Sequence, residues 1–102
     1  MNANRENTLS DDQFVRDKIN FSGIETLSDT ELLALLMGKG SITGQSMQAA
    51  KQALEGHSLE AVATSSRDTL LKTLRLTPSV ATLLSASAEL ARRIKGRKHE
   101  EI

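Results

Sequence analysis

Few side chains in this 102-residue sequence are able to carry acid–base or nucleophilic chemistry, and their spacing does not gather them. Cysteine is absent, which removes thiol catalysis, disulfides and thiolate-ligated zinc. His57 and His99 are the two imidazoles, far apart in the chain, and no ligand spacing surrounds either of them. His57 follows Gly56, the stop of an expected helix, where an exposed cation favours the helix dipole. Asp11, Asp12, Asp29 and Glu31 fall in the first turns of expected helices, where a carboxylate is stabilising. Ser65 and Ser66 have no histidine or lysine base nearby. These residues predict no catalytic centre, no metal and no cofactor.

The glycine-rich "GKGSITGQS", residues 38–46, raises the question of phosphate binding. A nucleotide-binding loop needs a strand before it and Lys-Ser or Lys-Thr after its last glycine. Here Gly44 leads into Gln45-Ser46 and a helix is expected upstream, so the segment reads as a flexible helix connection. Cationic chemistry is what remains. "ARRIKGRK" places Arg92, Arg93, Lys95, Arg97 and Lys98 within seven residues, more than capping a helix C-terminus requires. Lys plus Arg equals Asp plus Glu over the whole chain, yet residues 1–66 carry a balance of −4 and residues 67–98 one of +6. Such asymmetry is compatible with a phosphate-facing cluster. A second point of interest is "LRLTP", residues 74–78. Hairpin turns that grip a phosphate backbone usually read Gly-apolar-Gly, whereas Arg75 and Thr77 flank Leu76 here.

The elements that must position these groups are helical. Hydrophobic residues make up 38% of the chain and aromatics 2% (Phe14 and Phe21), so the core draws on Leu, Ala, Val, Ile and Met. No stretch alternates over a strand's length. The expectation is an all-α, compact bundle of about five or six short helices, with a leader over 1–9, a helical domain over 10–95 and a charged tail over 96–102. Ser10 with Gln13 predicts a first helix at roughly 10–20, with Phe14 and Ile19 facing inward. Ser28 with Glu31 predicts a reciprocally capped helix carrying Leu32, Leu33, Leu35 and Leu36 and stopping at Gly38 or Gly40. Met47, Ala50 and Leu54 mark a helix over 45–55. Ser58 starts a short helix with Leu59, Val62 and Ala63, and Ser65 with Asp68 starts another with Leu70, Leu71 and Leu74. Thr77 caps the last helix and Pro78 stands at its first position, where a missing amide hydrogen costs nothing. Val80, Leu83 or Leu84, Ser87, Ala91 and Ile94 follow on one face. "MNANRENTLSDD" has no signal-peptide core and no run reaches membrane-spanning length, so a cytoplasmic chain with no membrane partner is expected.

"TLSDTELLALLM", the glycine loop ending in Gln45-Ser46, "SLEAVA" and "AELARRI", in this order and spacing, resemble the N-terminal helical domain of the RadC family, bacterial proteins labelled as DNA repair proteins. The likeness runs from about residue 25 to residue 94. It implies a helix-hairpin-helix-like fold. Full-length members continue into a metalloprotease-like domain of the JAMM type, whose signature has two histidines one residue apart, then proline, serine and glycine. No stretch of this sequence matches that signature, so no zinc and no hydrolase activity carry over. The sequence is read as the helical module alone, a fragment or a shortened relative, with the JAMM-type domain as an expected partner.

The family's hairpin reads Gly-apolar-Gly-Pro with a lysine soon after. Pro78 and Leu76 fit; Arg75 and Thr77 stand at the glycine positions and Val80 at the lysine. Glycines there permit φ > 0 and a close approach of backbone amides to phosphate. Their replacement is expected to stiffen the turn and weaken its grip, with Arg75 and the amides behind Thr77 in partial compensation. Two readings stay open. The first is a non-catalytic accessory module that contacts duplex DNA weakly and without sequence preference. Its candidate contacts are Arg75, Thr77, Arg92, Arg93, Lys95, Arg97 and Lys98. The second is a protein-interaction or dimerisation domain that no longer touches nucleic acid. The lack of Tyr and Trp argues against base stacking on single strands.

Overall fold

The computed structural model describes residues 11–97 and divides them into two compact units that meet in sequence at Glu55 and Gly56. Among the described residues there are six α-helices, one 3-10 turn and no strand. No helix among them is long and apolar enough to cross a membrane.

The first unit holds α1 (Asp11–Ser22), the 3-10 turn Ile24–Thr26, α2 (Asp29–Met37) and α3 (Gly44–Leu54). α2 and α3 form a close helical hairpin, because Ala34 and Ala50 are both fully buried and leave no side-chain bulk to hold the axes apart. Leu33, Met37, Ile42 and Ala53 fill the rest of that core, with Val15 from α1 and Leu27. The cap expected at Ser28 is present in full: its hydroxyl accepts from the Glu31 amide at 3.1 Å, and Glu31 accepts from the Ser28 amide at 2.8 Å. Glu31 also accepts from Lys18 of α1 at 2.9 Å. The Ser28 amide first, then Lys18, hold its carboxyl below the usual range.

Two expectations fail in this unit, and the first helix runs two residues longer than expected. Phe14 does not face inward; it is 58% exposed, and Val15 takes the core position instead. The first helix continues to Ser22, beyond residue 20, and the proposed Ser10 cap lies outside the described residues. "GKGSITG" is not a loose connector. The amide of Gly40 donates to Leu35 at 2.9 Å and that of Lys39 to Leu36 at 3.0 Å, the paired bonds that end a helix in a left-handed residue. That residue is Lys39, at φ 56°. A Cβ on Gly38 would lie 1.7 Å from the Ser41 carbonyl oxygen, so glycine is demanded there by contact. The Asp12 carboxylate accepts from the Ile42 amide at 3.0 Å, and Thr43 with Ser46 caps α3 reciprocally.

The second unit holds α4 (Leu59–Ala63), α5 (Arg67–Lys72) and α6 (Pro78–Lys95). Helices of five and six residues do not persist alone. Both pack on α6, burying Val62 and Leu70 beside Ala81 and Leu84. Ser58 caps α4 as expected. The cap of α5 is Ser66, which accepts from the Thr69 amide at 3.1 Å, rather than Ser65. Ser65 instead donates to the Ala61 carbonyl at 2.6 Å, closing the preceding helix.

Candidate nucleic-acid interface

The hairpin turn of the second unit is built from the carbonyls that α5 leaves open. Amides of Thr73 and Leu74 donate to the Thr69 carbonyl at 2.8 and 3.2 Å, and the amide of Leu76 donates to that of Leu70 at 3.0 Å. To reverse direction within these bonds, Arg75 sits at φ 56°, the left-handed region that favours glycine. An arginine therefore occupies the left-handed conformation here, at an energetic cost. Thr77 lies at φ −69° and ψ 156°, an ordinary extended cap conformation that makes no demand for glycine. Its hydroxyl accepts from the Val80 amide at 3.4 Å, a long bond, with Pro78 following at the first helical position.

Cations around this hairpin differ in their freedom. Arg67 donates through Nε to the Thr82 hydroxyl at 3.0 Å, tying α5 to α6. Lys72 pairs with Asp68 at 3.3 Å. Arg75 is exposed and has no hydrogen-bond or ion-pair partner among the described residues.

At the other end of α6 the expected cationic cluster is changed by a residue that the sequence reading passed over. Glu89 accepts from Arg92 through both carboxylate oxygens and from Arg93 Nε at 2.9 Å. The Arg92 hydrogen bonds first, and Arg93 second, bring the Glu89 carboxyl down to about 2. Glu89 in turn raises Arg92. The pattern was legible as a carboxylate three and four residues before two arginines. Lys95 and Arg97 are exposed and without such partners among the described residues, and Lys98 lies outside them.

The six candidate residues among those described therefore do not form one patch. Arg75 and Thr77 share the turn; Arg92, Arg93, Lys95 and Arg97 lie at or just beyond the far end of an 18-residue helix, which spans about 27 Å. The stripe expected along α6 also stops short: Leu84 is buried and Val80, Leu83 and Ser87 are half-buried, while every residue from Leu90 to Arg97, Ala91 and Ile94 included, is exposed. No group of three or more His, Cys, Asp or Glu among the described residues is placed to hold a metal ion.

An all-helical domain with two helix–turn–helix hairpins, and a basic residue in the left-handed position of each turn, is the class that this geometry defines. Residues 7–82 match the model of the UPF0758 N-terminal family, most of the chain. The chain belongs to that family, the N-terminal region of RadC-like proteins. No curated protein and no solved structure matches it.

Proposed function

We propose that this is a non-catalytic, cytoplasmic helical module that contacts the phosphate backbone of duplex DNA weakly and without sequence preference, and that the contact centres on the turn at Thr73–Thr77. The observation that carries this reading is Arg75: an exposed, unpartnered guanidinium in a left-handed residue, three positions before the N-terminus of α6. Left-handed non-glycine residues are strained, and such strain gathers at functional positions. The following helix end adds a partial positive charge. Titration of a labelled duplex at several salt concentrations tests it. The expected dissociation constant is on the order of 10⁻⁴ to 10⁻⁶ M at physiological salt, and Arg75→Ala should flatten the log–log salt slope by about 0.9. No binding at low salt, or an Arg75→Ala slope equal to that of the wild type, defeats the proposal.

A specific observation supports a second reading, a protein-interaction or dimerisation surface. Leu90 and Ile94 are 61% and 65% exposed, one helical turn apart on the same face of α6. Under this reading Leu90→Ser with Ile94→Ser abolishes self-association in sedimentation equilibrium, while Arg75→Ala leaves it unchanged.

A further inference from the structure

We propose that Glu89 is an internal anion that withholds Arg92 and Arg93 from an external phosphate, so that among the described residues this end of α6 offers Lys95 and Arg97 to a nucleic-acid backbone. The inference rests on the duplex-contact reading above and concerns which of its cations are available. Arg92 turns two donors, Nε and Nη2, toward the two oxygens of Glu89. That forked edge is the one by which a guanidinium holds a phosphate bidentately. Arg93 spends its Nε on the same carboxylate. A phosphate approaching either arginine must displace Glu89 or accept a neighbouring like charge.

A purely structural role accounts poorly for the arrangement. All three residues lie on the same stretch of one helix, three and four positions apart, and exposed pairs of this kind contribute little to stability. Residues 90–97 are exposed throughout, so the clamp fastens no second element. Its main consequence is the charge that the helix presents. Of the four cations from Arg92 to Arg97, two share the single carboxylate of Glu89, which cancels one of their charges and occupies donors on both. The sequence counts five cations in this segment; in the structure Glu89 engages two of them and cancels one charge.

The test uses the full chain, a labelled duplex of random sequence, and the variants Glu89→Gln, Arg92→Ala with Arg93→Ala, and all three changes together. Removing the two arginines from the wild type should leave the salt slope unchanged. Glu89→Gln should tighten binding roughly tenfold at low salt and steepen the slope by nearly two units, about 0.9 for each freed arginine. The triple variant should return to the wild-type slope. A wild-type slope that falls by nearly two units on loss of the arginines, or a Glu89→Gln slope that does not change, overturns the proposal. If neither wild type nor Glu89→Gln binds duplex at low salt, the duplex reading fails by itself. Inorganic phosphate then decides the role of Glu89, read on the Nε–Hε resonances of Arg92 and Arg93. Saturable shifts in Glu89→Gln with none in the wild type uphold it; equal response in both overturns it.

Discussion

The two hairpin turns, Gly38–Thr43 and Thr73–Thr77, solve one backbone problem by different means. Each reverses the chain between two helices, and each places a basic residue, Lys39 or Arg75, at φ 56°. The first is enforced from several sides: Gly38 has no room for a Cβ, Asp12 reaches from another helix to the Ile42 amide, and Thr43 and Ser46 cap each other. The second is held by α5 carbonyls and one long cap bond. A left-handed position therefore need not be filled by glycine. Glycine is compulsory where another group's atoms occupy the Cβ volume, and in the first turn that position is next to the left-handed residue. Lys39 and Arg75 are both exposed and without a side-chain partner among the described residues; the proposed contact falls at the second turn because Arg75 lies in the basic part of the chain, residues 67–98.

The comparison breaks most visibly at Gly38. Gly38→Ala should destabilise the protein by about 3 kcal/mol, the upper end for overpacking, in a urea unfolding midpoint. A neutral result would mean that the Ser41 carbonyl yields freely and the first turn is no more constrained than the second. The caps come next. Thr43→Ala should cost about 1 kcal/mol and Thr77→Ala about 0.5, since the Thr77 bond is longer and lacks a reciprocal partner. Equal losses would erase the distinction. Arg75→Gly and Lys39→Gly should each raise stability by about 0.5–1 kcal/mol, the left-handed penalty less the extra freedom of the unfolded chain. Only Arg75→Gly should also lower duplex affinity.

The smallest effect is acid loosening of the first turn. Arg16 first, then the Ile42 amide, hold the Asp12 carboxyl below its ordinary value of 3.8. A depressed carboxyl stabilises the fold above that value and loses its contribution as pH falls through the lowered one. The Ile42 amide resonance should titrate below pH 3.8, while that of Leu76, which donates to a backbone carbonyl, should stay still.

Local signals in the sequence located most of the architecture. Ser28, Ser58 and Thr77 cap where their side chains and spacing say they should, because an N-cap is decided within four residues. Ser65 and Ser66 were inseparable on that basis, since both have a polar residue three positions on; which one caps depends on where the preceding helix stops. Phe14 went astray for a different reason. Hydrophobicity marks a residue as suited to burial, but which face of α1 turns inward is set by Val15 and by the Lys18–Glu31 pair to α2. At the candidate interface, the type and number of the cations were plain. Their division between two ends of α6 follows from helix rise, and the loss of Arg92 and Arg93 to Glu89 from helical spacing; a count of charges contains neither. The contact of Arg67 with Thr82 links two helices and has no local signature.

The exposure of α6 from Leu90 onward has a thermodynamic consequence. Opening its last two turns breaks backbone hydrogen bonds but uncovers no packed side chain, so it resembles helix–coil melting of a peptide. Amides of Arg92 to Lys95 should exchange with solvent through frequent local opening, whereas those of Ala81 and Leu84 wait for unfolding of their unit. A partner that engages the wound form of this end then binds with its intrinsic affinity scaled by the fraction of time the turns are wound. Winding of the helix end and occupancy of its surface become one coupled equilibrium.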